Sequence, residues 1–192
     1  MRYFVTGGAG FIGSHLVDEL IKRGFRWLIN TKRCSVVVSE LSAGSEIPDV
    51  IGWHDGWSSV LLEAKATLID FKSDQNKFFR HYEDIGMGIQ RYYIVPFDLG
   101  NDVIDILPDK WGLLLCRGNK VIIEKESLAF ENNWRREMGM LISLMRRMGN
   151  ATKPIIGVGV KWYKPLYHED HVARAELFIE PETSLEDIDA NS

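Results

Sequence analysis

With 192 residues, 45% of them apolar and 26% charged, the chain is long enough for one packed domain and too short for two catalytic ones. Its 27 acidic and 23 basic residues give a formal charge of -4, which excludes a protein coated in positive charge but not one with a local basic strip. Cys34 and Cys116 have no zinc spacing, no apolar run reaches a membrane-spanning length, and the start lacks a signal-peptide pattern, so the expectation is a cytoplasmic protein with reduced thiols and no membrane partner.

Residues 2–6 read as a short strand, followed by a turn at Gly7, Gly8 and Gly10. A helix is expected from about Ser14, with Leu16, Val17, Leu20 and Ile21 on one face and an interruption at Gly24. Ser35 to Ser39 reads as a strand and residues 41–48 as a loop. Asp49 to Trp53 and Ser59 to Thr67 form a hairpin around the Asp55-Gly56 turn. Asp70 to Tyr82 has helical spacing, and Arg91 to Val95 is a strand closed by Pro96. Leu113 to Cys116 and Val121 to Glu126 form a second hairpin. Glu131 to Met148 is the clearest helix, and Arg146, Arg147 and Gly149 mark its end. Residues 155–163 and 175–179 are candidate late strands, ahead of an acidic tail over 181–192 that is expected to be mobile. The fold class is α/β: a mixed sheet flanked by helices, in a single domain over residues 1–180.

Gly7-x-x-Gly10-x-x-Gly13, between a strand and a helix, lets the backbone approach a pyrophosphate and rest it on helix N–H groups. Over Met1 to Gly24 the chain resembles the start of extended short-chain dehydrogenases and sugar-nucleotide epimerases. That family places an acidic residue about 20 positions beyond the glycines. Here the nearest candidate, Glu40, lies 27 beyond Gly13, and no tyrosine has a lysine four residues later. The plainer reading is that this strand-turn-helix segment serves as packing for another domain.

Asp49 opens one hairpin strand, and Glu63-Ala64-Lys65 lies in the other. Strand alternation puts Glu63 and Lys65 on one face, which Asp49 joins if the hairpin pairs across Asp55-Gly56. Such a set can hold Mg2+ or Mn2+ on Asp49, Glu63 and the Ala64 carbonyl. Lys65 can then orient or deprotonate a metal-bound water, and Glu40 can add a third carboxylate. The plainer account is a cross-strand Glu–Lys pair on a solvated face. Against it, Val50, Ile51, Val60, Leu61 and Leu62 make both strands apolar around the charges, where an unpaired carboxylate is costly.

Over residues 35–126, Pro48-Asp49, Glu63-Ala64-Lys65, Asp70-Phe71, Lys77, Arg80 and Arg91-Tyr-Tyr-Ile-Val-Pro96 resemble the PD-(D/E)xK, restriction-endonuclease-like superfamily, in its small DNA-repair and phage-associated branch. The resemblance implies an α-β-β-β-α-β core, a divalent metal and phosphodiester hydrolysis. Lys72, Lys77 and Arg80 would then meet DNA phosphates; a solvated helix face with internal pairs accounts for them equally well. The leading expectation is a metal-dependent deoxyribonuclease acting on DNA, with a homodimer open. An inactive nuclease-fold module that binds nucleic acid and a truncated NAD-binding epimerase-like protein remain the alternatives.

Overall fold

The chain was studied as a computed structural model, which describes residues 11–42, 46–77, 80, 82, 84–131 and 133–149, without the side chains of 11, 12, 148 and 149. All of these belong to the first of two units into which the chain divides, Met1–Trp162. The expected strand at 2–6, the late strands and the acidic tail lie outside the described residues.

Helix α1 spans Phe11–Asn30. It does not stop at Gly24, because that glycine is where the helix meets the sheet. A Cβ there would stand 2.8 Å from Cδ1 of Leu62 and displace that buried side chain, so glycine lets the helix approach the sheet with Leu62 in place. Strands β1 (Val36–Ser39), β2 (Val50–Trp53) and β3 (Ser59–Ala64) follow as an antiparallel meander. The β2–β3 hairpin closes where the sequence places it, with Trp53 opposite Ser59. Helix α2 covers Leu68–Gln75, shorter than the expected 70–82, and starts at Thr67, whose hydroxyl accepts from the Asp70 N–H at 3.2 Å.

Strand β4 (Gln90–Pro96) returns parallel to β3. A 3-10 turn at Phe97–Leu99 and a short helix α3 (Gly100–Ile104) lead to β5 (Gly112–Arg117), parallel to β4. Strand β6 (Lys120–Lys125) turns back antiparallel through a two-residue turn in which Gly118 takes a φ of 56°, a left-handed value that glycine adopts without strain. Helix α4 is Trp134–Gly149. The sheet order is β1-β2-β3-β4-β5-β6, so the expected mixed sheet flanked by helices is present.

Two apolar layers cover the sheet, and strand alternation decides which residue enters which. Val60, Leu62 and Ala64 of β3, with Tyr92 and Ile94 of β4, pack under α1 against Leu20, Trp27 and Leu28. Leu61, Tyr93, Val95 and Leu113 face the opposite way, against Phe71 of α2, Val103 of α3 and Met140 and Leu144 of α4. Each fully buried Leu or Ile contributes about 1.5–3 kcal/mol through the surface it removes from water. Glu137 fastens α4 to this layer: its carboxylate accepts from Trp53 Nε1 at 2.9 Å and from Ser59 Oγ and the Gly88 N–H, both at 2.8 Å.

Both crossovers between parallel strands, β3 to β4 and β4 to β5, run on the α2 face, since Phe71 and Val103 lie in the same apolar layer. Helix α1 runs antiparallel to β4. Lys32, just beyond its C-terminus, reaches Gln90 and Tyr92 near the start of that strand, while Gly24 lies against Ile94 near the end. The N-terminal end of α1 therefore points to the edge where β3, β4 and β5 finish.

Candidate functional site

At that edge, on the α2 face, the pleat of β3 sends Glu63 and Lys65 out of the apolar ladder together. Lys65 Nζ donates to Glu63 Oε2 at 3.0 Å, and it stands 3.7 Å from Asp49 Oδ2 and 3.3 Å from Asp74 Oδ1. Asp49, immediately before β2, accepts from the Ala64 N–H at 2.7 Å. Asp49, Glu63 and Lys65 thus meet as the hairpin pattern requires. Glu40 does not join them through its side chain, which is exposed. Its link to the cluster is its backbone N–H, bonded to the Asp49 carbonyl at 3.1 Å.

Three residues outside the expected catalytic set complete the cluster. Asp74 of α2 accepts from the Tyr93 hydroxyl at 2.8 Å and from Arg80 Nε at 2.8 Å, and its Oδ1 lies 2.6 Å from Lys77 Nζ. Arg80 is the hub. Its guanidinium reaches Glu63 Oε1 at 2.7 Å, Glu46 Oε1 at 3.1 Å and Asp74 Oδ2, and stacks over the Trp111 ring. Glu46 also accepts from the Met87 N–H at 3.0 Å, tying the loop before β2 to the segment before β4. The signal for Asp74 was present in its spacing, since Asp74, Lys77 and Arg80 recur every three residues. Nothing local marks Glu46, which arrives by a long loop.

Burial and charge oppose one another here. Burial first, then the neighbouring Glu63, pushes the Asp49 carboxyl up to about 6, with Lys65 only partly offsetting them. Burial likewise raises Glu46 in spite of Arg80. For Asp74 burial acts upward too, but Arg80 and Lys65 outweigh it and hold the carboxyl below its ordinary range. Lys65 is held above its usual value because Glu63, Asp49 and Asp74 together overcome its own desolvation. Asp49 keeps a quarter of its side chain in water, whereas Glu63 and Asp74 are almost fully enclosed. It is the carboxyl through which this cluster can exchange a proton with solvent near neutral pH.

The expected nucleic-acid contacts separate. Lys72 is exposed, and Lys77 is exposed over nearly half its side chain while paired to Asp74. Arg80, with 3% of its side chain exposed, is committed to three carboxylates and cannot meet a phosphate without leaving them.

The Mg2+ or Mn2+ site is corrected by the same geometry. Both oxygens of Glu63 face cations of the chain itself, Lys65 and Arg80, and the Oδ2 oxygen of Asp49 is engaged by the Ala64 N–H and Lys65. Among the described residues no group of three or more His, Cys, Asp or Glu side chains is arranged to hold a metal ion. Among them, too, no helix is long and apolar enough to cross a membrane.

Comparison with known proteins points away from nuclease chemistry. Residues 3–68 match the model of the NAD dependent epimerase/dehydratase family. Over 23 residues the chain is 74% identical to the UDP-N-acetyl-alpha-D-glucosaminuronate decarboxylase of Bacillus cytotoxicus, a stretch covering 12% of this chain and 7% of that protein. Over 24 residues it is 75% identical to UDP-glucuronic acid decarboxylase 1 of Arabidopsis thaliana, covering 12% and 6%. The chain thus spans less than a tenth of the length of these curated relatives. Among solved structures it resembles the SPO1766 protein of unknown function from Silicibacter pomeroyi, with a TM-score of 0.50 and 19% identity over 67% of this chain and 86% of that one, a likeness of fold alone. The expected metal-dependent deoxyribonuclease is overturned by these matches, in which the N-terminal third is similar to a family named for NAD rather than for a divalent metal.

Proposed function

We propose that the chain binds a nucleotide diphosphate, of the NAD or UDP-sugar kind, at the glycine-rich segment that leads into α1. The observation that carries this is the coincidence of the family match over residues 3–68 with a 20-residue helix that opens directly after Gly10. Unpaired N–H groups at a helix start favour a phosphate, and the first turn of α1 carries no acidic residue to repel one. Gly7 and Gly10 lie outside the described residues, while Gly13 is buried in α1. Glu40, at the end of the strand that follows α1, is the acidic residue available for ribose hydroxyls.

The described sheet limits what is bound. A doubly wound dinucleotide fold opens its crevice where crossovers change face. Here both crossovers run on one face, and β1 continues antiparallel into β2. The proposal therefore extends to the diphosphate and its ribose, and neither hydride transfer nor decarboxylation is derived.

The test is a calorimetric titration of the full chain with NAD+, NADH and UDP-glucuronate, alongside Gly10→Val and Asp49→Ala. Binding that Gly10→Val removes and Asp49→Ala leaves intact is expected. Absence of binding for all three ligands at millimolar concentration sinks the proposal. Single-stranded and duplex DNA in the same series read whether Lys72 and Lys77 meet phosphates.

A further inference from the structure

The face of α4 that turns away from the sheet does not have the composition of a solvated surface. Trp134, Met138, Ile142 and Met145 are exposed, Trp134 over 62% and Met145 over 66% of their surfaces. At about 100° per residue they fall within one arc of about 80° along the helix. Arg135 and Arg146 line one border of that arc, and the partly buried Leu141 lies on the other. The helix has a single acidic residue, Glu137, and that one is turned inward onto Trp53, Ser59 and Gly88. Exposed α4 therefore presents tryptophan, methionine, isoleucine and arginine, with neither lysine nor an exposed carboxylate. Trp, Met and Arg are the residue types enriched at the centres of protein interfaces, and Lys and Glu are depleted there. Among the described residues neither Arg135 nor Arg146 makes an ion pair; Arg135 lies over the Trp134 ring, 5.5 Å from its centroid.

We propose that this strip of α4 is a docking surface for an amphipathic helical segment of another protein that carries acidic residues along one side of its apolar face. Charge selects the occupant: two unpaired arginines three turns apart on one border call for carboxylates at matching intervals on the partner. Geometry selects a helix over a flat surface. The strip lies about 120° around α4 from its buried side, so a plane resting on it also meets the flank of the domain. A helix laid alongside α4 reaches the apolar arc and both arginines at once. The methionines allow the surface to repack around side chains of differing shape.

The test uses the full chain and two synthetic 18-residue helices with the same leucine stripe, one flanked by glutamate and the other by lysine. Binding is followed by calorimetry and tryptophan fluorescence. The glutamate helix should bind at least tenfold more tightly than the lysine helix. Met138→Glu should weaken it about tenfold or more. Arg135→Glu combined with Arg146→Glu should invert the preference toward the lysine helix; these exposed positions leave the core untouched, which circular dichroism checks. The proposal is overturned by equal binding of both helices, or by a preference unmoved in the charge-reversed variant. Binding only to vesicles of anionic lipid overturns it as well, as does a sedimenting dimer that Met138→Glu dissociates.

Discussion

Arg80 Nη2 stands 2.7 Å from Glu63 Oε1, while Lys65 holds the other oxygen of the same carboxylate at 3.0 Å. A carboxylate clamped at both oxygens is an anchor for the helix-side segment, and this pairing decides how the cluster responds to substitution.

Replacing Arg80 with alanine leaves Glu46, Glu63 and Asp74 enclosed without their shared cation. The expected loss is about 3–5 kcal/mol in urea unfolding, since a buried charge stripped of its partner cannot be rehydrated. Lys77→Ala removes a half-exposed partner of Asp74 and should cost no more than about 1 kcal/mol. Equal losses in the two variants would refute the central position given to Arg80.

The Asp49 carboxyl moves from 3.8 to about 6 on folding. Because the folded state then holds this proton more tightly than the unfolded one, stability from Asp49 is present at low pH and is lost as pH rises from about 4 to 6. Asp74 acts with the opposite sign: its lowered carboxyl stabilises above its ordinary range and loses that contribution as pH falls through it. Asp49→Asn should gain on the wild type across pH 4–6, by about 3 kcal/mol at pH 7. Urea midpoints at half-unit steps between pH 4 and 7.5 measure the difference, and parallel curves would disprove the assignment.

Two glycines should respond in opposite directions to alanine. At Gly112 a Cβ collides with the Tyr92 ring and lies 2.7 Å from the Ser127 N. There Gly112→Ala is expected to cost several kcal/mol through overpacking, on the order of 1–3 or more. Gly139 lies in α4 with nothing within 4 Å of its Cβ position, and Gly139→Ala should stabilise by about 0.5–1 kcal/mol. Thermal melts of the pair provide the measurement.

Cys34 and Cys116 are free and buried, and burial pushes their thiols up to about 12 and about 11. Neither should react with a thiol-specific chromogenic disulfide at pH 8 in the native protein, and both should react in denaturant. Rapid native labelling of either one would contradict the packing described.

The hairpins and α4 were legible in the sequence because their signals are local: Asp55-Gly56, Gly118 and the stop signals Arg146, Arg147 and Gly149 each act over a few residues. So was the meeting of Glu63, Lys65 and Asp49, which follows from strand period together with the hairpin register set at Asp55-Gly56. What they do together was not legible. The metal reading left the Glu63 oxygens open to an ion, whereas Lys65 takes one of them and Arg80, 17 residues beyond Glu63 in chain order, takes the other. The interruption expected at Gly24 failed for a related reason, since intrinsic propensity gave way to close packing against Leu62.

The alternation along β3 has one more effect. Glu63 and Lys65 share a face with Leu61, while Leu62 and Ala64 sit in the apolar layer under α1. A slip of one residue in this strand would drive both charges against Leu20, Trp27 and Leu28 and pull the leucine out to face Arg80. The ion cluster therefore works as a key for assembly: an alignment shifted by one residue would bury both charges among apolar side chains, so the native register of the central strand is the one that lets the sheet close.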